Sequence, residues 1–160
     1  MNTKKIVLSG LLIAIGTLAS HLIVIPVGVA KAYPIQHTIN IISAIILGPA
    51  YAVGNAFLIS ILRNILGVGS LLAFPGSMFG AFLAGIFYKQ SKKIYAAAAG
   101  EIIGTGLIGS LVSFPISKIL LGSEVGAFFF IPPFILSSFV GTVIGVIVIK
   151  FLKKSNLGVV

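Results

Sequence analysis

Long apolar runs alternate with short polar or turn-rich breaks along the whole chain. Six runs read as helices: about Lys4–Ile25, Pro34 to Gly48-Pro49, Ala50–Leu66, Leu71–Tyr88, Ile94–Pro115 with a kinked continuation to Leu121, and Phe128–Phe151. A spanning helix takes about 20 residues, so 160 residues hold six spans and little else. The expected architecture is all-α, a single integral-membrane domain over residues 1–160 with six transmembrane helices.

The polar positions inside the apolar runs are patterned. Pro26–Asn40 (PVGVAKAYPIQHTIN) is a polar, turn-rich interruption between the first two runs. Pro34 suits the first turn of the second helix. Gln36, Asn40 and Ser43 then recur at i, i+4 and i+7, with His37 beside them, so they share one face that must turn away from lipid. Small residues form stripes in the other helices: Ala52, Ala56 and Ser60; Gly76, Gly80 and Ala84; Ser137, Gly141 and Gly145. The first helix has two small-xxx-small pairs, Gly10 with Ala14 and Gly16 with Ser20. Such pairs let helices approach closely where lipid removes the hydrophobic drive to associate. By spacing alone they serve packing within the chain or the docking of a partner.

Composition fixes the solvent. Apolar residues make up 58% of the chain and charged residues 8%, with mean hydropathy +1.21. A soluble domain carries roughly 25% charged residues, so lipid must cover most of this surface. Cysteine is absent, which excludes disulfide and thiolate chemistry. The net charge of +9 would suggest nucleic acid in a soluble protein; here it reports topology. With the N-terminus inside, Lys4, Lys5, Lys89, Lys92, Lys93, Lys150, Lys153 and Lys154 fall on the inner side, and Lys31, Arg63 and Lys118 on the outer. The positive-inside rule therefore makes both termini cytoplasmic in a multi-pass plasma-membrane protein. It also brings three broken segments, Lys31–Asn40, Arg63–Met78 and the last inter-helix loop, to one outer end. The apolar run Ile6–Ile25 exceeds the usual length of a signal-peptide core, and is read as a retained helix.

Catalytic motifs are missing. There is no GxxxxGK[ST] and no HExxH, and two histidines, His21 and His37, make no metal site. Gly104–Gly109 matches GxGxxG but lies in an apolar span without the strand and acidic residue that a dinucleotide site needs; it reads as close helix packing. The only acids are Glu101 and Glu124. Glu101 lies about 10 Å in from the inner end at 1.5 Å per residue, as a substrate partner, a proton carrier, or an acid neutralised within the bundle. Asn55 reads as interhelical glue and Arg63 as an interface residue able to snorkel. Neutral donors and acceptors with few fixed charges suit a small, largely uncharged polar-aromatic compound, with Tyr33, Phe74 and Phe129 as stacking surfaces.

The segments PVGVAKAYPIQHTINIISAIILGPAYAV, SILRNILGVGSLLAFPGSMFGAFLAG and GEIIGTGLIGSLVSFP resemble the ThiW family, over about Lys4–Lys154. These are S components, the substrate-binding membrane subunits of energy-coupling factor (ECF) transporters. The resemblance implies a six-helix S-component fold and capture of hydroxyethylthiazole, the thiazole precursor of thiamin, at the outer face. It also implies a coupling membrane subunit and two ATPase subunits as partners, so that ATP is hydrolysed outside this chain and no cofactor belongs to it. S components dock their coupling subunit through a small-xxx-small motif, typically AxxxA, on helix 1; the matching positions here are Gly10 and Ala14, the glycine departing from the pattern.

The candidate substrate-binding residues are thus Tyr33, Gln36, His37, Asn40, Asn64, Phe74, Ser77 and Glu101, with Lys31 at the rim and no catalytic or metal-ligating residue. The alternatives are an S component for another small heterocyclic vitamin precursor, a self-sufficient proton-coupled carrier using Glu101, and a structural subunit that binds no small molecule. None involves nucleic acid.

Overall fold

The computed structural model describes residues 3–28, 30–122 and 124–155. Its helices are α1 (Thr3–Ala19), α2 (Pro34–Ile46), α3 (Pro49–Ile65), α4 (Ala73–Ser91), α5 (Ile94–Ile103), α6 (Ser110–Leu120) and α7 (Ile131–Lys154). A π-helical segment, Gly104–Gly109, joins α5 to α6, so Ile94–Leu120 is one continuous rod. The fold is therefore all-α, with six helical rods and a small hairpin, β1 (Ile25–Val27) against β2 (Ala30–Ala32). Two rods, Ile94–Leu120 and Ile131–Lys154, are long and apolar enough to cross a membrane.

The first helix is shorter than its apolar run suggests. It stops at Ala19, where Ser20 Oγ turns back onto the carbonyl of Gly16. The residue before a proline is pushed towards extended backbone, and Ile25 before Pro26 begins β1 instead of continuing a helix. Gly28 turns the chain with φ +61°, and the strands pair antiparallel with Pro26 opposite Lys31. The polar interruption is thus a hairpin that delivers Tyr33 directly to the start of α2.

α2 is the centre of the bundle. Every residue of it except Ile35 and Ile46 is buried, and α1, α3, α4, α5 and α7 all pack on it. This is the solution to carrying Gln36, His37, Asn40 and Ser43 in an apolar protein: the polar face turns inward, where side chains from other helices satisfy it. The small stripe of α7 makes the approach possible. A Cβ on Gly141 would lie 2.8 Å from His37 Cβ, and Thr38 Oγ1 donates to the Gly141 carbonyl at 2.9 Å.

α4 meets the Ile94–Leu120 rod backbone to backbone. A Cβ on Gly104 would stand 2.5 Å from the Phe79 carbonyl oxygen, and one on Gly109 would stand 2.8 Å from Gly76 Cα. The glycines of the GxGxxG pattern are therefore a packing surface. The break in α geometry falls on these glycines, ahead of the kink that Pro115 suggests. Pro75 sits in the first turn of α4, where a missing N–H costs no helical bond, and the helix runs through it unbroken.

The two small pairs of α1 separate. Gly16 and Ser20 are buried, and a Cβ on Gly16 would press on Ile59 Cδ1 at 2.5 Å. Gly10 and Ala14 are exposed, with open space above Gly10. Asn55 joins α1, α3 and α2 as expected of interhelical glue, accepting from Ser9 Oγ and donating to Ser43 Oγ at 3.0 Å.

Candidate functional site

A cavity of about 310 Å³ opens at the end of the bundle where α2, α4 and α7 begin and α3 ends. It lies at the small end of the roughly 300–1,000 Å³ typical of small-molecule sites. Its walls come from the segments that sequence patterning placed at one end. Ala30, Lys31 and Tyr33 come from the hairpin and its exit, and Gln36 and His37 from the first turn of α2. Arg63, Ser70, Leu72, Ala73, Gly76 and Ser77 come from the end of α3 and the start of α4. Phe130, Pro133, Phe134 and Ser137 come from the start of α7.

One side of the cavity is polar and tightly bonded. Gln36 Nε2 donates to Ser60 Oγ and Ser77 Oγ, both at 2.9 Å, and its Oε1 accepts from Arg63 Nη1. Arg63 is only 2% exposed. Its Nη2 donates to the Val68 carbonyl at 3.1 Å, and its guanidinium lies 4.6 Å from the centre of the Tyr33 ring. The snorkelling reading of Arg63 is corrected here: Ala56, Ser60 and Arg63 share one helical face (i, i+4, i+7), and that face packs inward. The Tyr33 backbone N–H donates to Ser137 Oγ at 2.9 Å, which ties the exit of the hairpin to α7.

Behind this wall lies a buried cluster centred on Glu101. The carboxyl is fully buried, and its Oε1 accepts from Asn40 Nδ2 at 3.0 Å and Thr105 Oγ1 at 3.2 Å and lies 2.8 Å from His37 Nδ1. Asn40 Nδ2 also donates to the Ser77 carbonyl at 3.1 Å. Gly80 makes room for the group, since a Cβ there would stand 2.8 Å from Glu101 Cδ. Of the cluster, His37 lines the cavity, whereas Glu101, Asn40 and Thr105 do not.

Another part of the wall is aromatic. Phe130 packs edge-on against Phe129, with centroids 5.2 Å apart, and near Phe134 at 6.1 Å. Phe130 and Phe134 face the cavity, whereas Phe129 does not line it.

Of the sequence-derived candidates, the fold brings Tyr33, Gln36, His37 and Ser77 to the cavity wall, with Lys31 beside them. It places Asn40 and Glu101 one layer behind. Two candidates lie elsewhere. Asn64 pins the α3–α4 loop, donating to the carbonyls of Ser60 at 2.8 Å and Ser70 at 3.1 Å. Phe74 packs edge-on against Phe57 at 5.7 Å instead of turning to the cavity. Arg63, Ser137, Phe130 and Phe134 are wall residues that sequence reasoning did not place there. Arg63 and Ser137 had a usable signal, since both extend or begin small-residue stripes that face the core. Phe134 shared that signal, standing three residues before Ser137 on the same face of α7; Phe130 had none, because Phe128, Phe129 and Phe130 adjoin one another ahead of α7 and only packing decides which one turns inward.

A family model described as thiamine-precursor transporter protein (ThiW) matches residues 6–155. The chain belongs to the ThiW family. Comparison with curated proteins and with solved structures gives no match. ThiW-family membership and the two membrane-capable rods make the chain a membrane protein of a transporter family, which argues for transport in place of catalysis.

Proposed function

We propose that this chain is the substrate-capture subunit of an ECF transporter for hydroxyethylthiazole, a thiamine precursor. The observation that carries the reading is the cavity in a ThiW-family chain: small, and lined both by the rings of Phe130 and Phe134 and by the polar side chains of Gln36, His37 and Ser77. A thiazole ring offers an apolar π-face and one ring acceptor, and its hydroxyethyl arm offers a hydroxyl. That pairing matches a cavity lined by both aromatic rings and hydrogen-bonding side chains.

The wider reading follows from the charge pattern. All six rods cross the plasma membrane, both termini are cytoplasmic, and the cavity opens outward. The chain has no nucleotide-binding motif, so uptake is powered by two ATPase subunits acting through a coupling membrane subunit. Gly10 and Ala14 on the exposed face of α1 dock that subunit.

The test is uptake of labelled hydroxyethylthiazole into vesicles containing the chain alone or with its coupling and ATPase subunits. Accumulation is expected only with the full set and ATP inside. Accumulation by the chain alone, driven by a proton gradient and lost in Glu101→Gln, would instead establish a proton-coupled carrier.

A further inference from the structure

We propose that Glu101 is a positioning residue that holds His37 in its Nδ1–H form, so that His37 Nε2 presents a lone pair to the cavity as the acceptor for a ligand hydroxyl. The proposal rests on the reading of the cavity as a thiazole-alcohol site and names the group that recognises the alcohol.

Three polar groups converge on Glu101 Oε1: His37 Nδ1, Asn40 Nδ2 and Thr105 Oγ1. Asn40 Nδ2 and the Thr105 hydroxyl each bring a hydrogen, and an oxygen so surrounded acts as acceptor towards His37 as well. The hydrogen of the 2.8 Å contact therefore sits on His37 Nδ1. With Nδ1 committed as donor, Nε2 of the neutral ring has no hydrogen and can only accept. That second nitrogen has no hydrogen-bond partner among the described residues, nor is it among the buried polar atoms that lack one. It therefore meets accessible space, and the accessible space His37 borders is the cavity. The other polar groups on the same wall are mostly engaged. Gln36 has both ends occupied, and Ser77 Oγ donates to the Ala73 carbonyl at 2.7 Å while accepting from Gln36. His37 Nε2 is thus a free acceptor beside these engaged groups, and its natural complement is an O–H.

The geometry behind the ring explains why this tautomer persists. Glu101 and Thr105 stand one helical turn apart on the Ile94–Leu120 rod, and Gly80 of α4 leaves space for both. Asn40 holds the carboxyl from α2, one turn beyond His37. Three helices thus fix the orientation of a ring on the central one, as buried partners do for histidines that act as ligands.

Two measurements test this. The chain contains two histidines, so ¹⁵N-histidine labelling of the full-length protein in detergent gives a spectrum that His21→Gln assigns. His37 is expected as the Nδ1–H tautomer with an unprotonated Nε2 whose resonance moves when hydroxyethylthiazole binds. Glu101→Gln, which keeps an acceptor oxygen, is expected to retain that tautomer, and Glu101→Leu to release it. An Nε2–H tautomer or an imidazolium in the native protein would overturn the proposal. The second measurement is calorimetric binding to native protein of the alcohol, its methyl ether and the plain ethyl analogue. The ether and the ethyl compound are expected to bind roughly 10-fold or more weakly than the alcohol, and His37→Ala to flatten that preference. An ether or ethyl analogue as tight as the alcohol would refute the acceptor role. Failure of all three to bind would refute both the thiazole reading and the ligand half of the proposal, while the ligand-free spectrum would still decide the tautomer.

Discussion

At the residue scale the cavity wall is a set of bonds with few spare ends. Gln36 is the hinge of it, since one amide joins Ser60, Ser77 and Arg63. Replacing it with leucine keeps the volume but strips a buried guanidinium of a principal acceptor. Gln36→Leu is expected to destabilise the protein by about 2–3 kcal/mol, read as a lowered Tm in detergent; an unchanged Tm would mean that Arg63 relaxes to another partner. His37→Ala should behave differently. It removes the member of the Glu101 cluster that lines the cavity, so its main effect is a loss of thiazole affinity of roughly 10-fold or more, measured by titration calorimetry. Much of this wall was legible before the fold was known. The i, i+4, i+7 spacing put Gln36 and Asn40 on one inward face, and His37 stood next to them. What spacing did not reveal is that Asn40 faces a carboxylate and not the cavity. That depends on Glu101, 61 positions away in sequence, and on the space that Gly80 leaves for it, which only packed helices define.

At the scale of the elements, the short first helix and the hairpin matter most. The apolar run to Ile25 reads as continuous helix because residues 22–25 resume the hydrophobic run after Ser20 and His21; Pro26 and the φ +61° turn at Gly28 convert its end into paired strands. Hydropathy does not distinguish an apolar strand from the last turns of a helix. The hairpin sets Lys31 at the rim and Tyr33 over Arg63. The Ile94–Leu120 rod was legible as a long broken helix, but its break is a π segment at the glycines. A π segment beside a buried acid is a common companion of functional sites. On α1, Gly10 and Ala14 are exposed while Gly16 and Ser20 pack inward, so spacing alone could not separate a partner face from a core face. Gly10 has open space around it, which makes a discriminating variant available. Gly10→Phe is expected to leave Tm and thiazole affinity unchanged and to abolish ATP-driven uptake. Undiminished uptake would move the docking surface off this face.

At the scale of the whole molecule, the two ends are chemically distinct. Lys4, Lys5, Lys89, Lys92, Lys93, Lys150, Lys153 and Lys154 sit where α1 and α5 begin and α4 and α7 end. There Lys5, Lys92 and Lys150 lie over the rings of Tyr51, Tyr88 and Tyr95. Basic and aromatic side chains of this kind anchor a bundle at one membrane interface. The cavity lies at the other end. A central helix with a buried polar face, an aromatic wall and an exposed helix for a partner together suit a subunit that captures and presents a small molecule. The most direct test is titration calorimetry of hydroxyethylthiazole into the purified full-length protein, without any partner subunit. Saturable binding of one molecule per chain, weakened in His37→Ala and retained in Gly10→Phe, is the result this account requires. No heat of binding from a folded, monodisperse sample, or binding indifferent to His37, would contradict it.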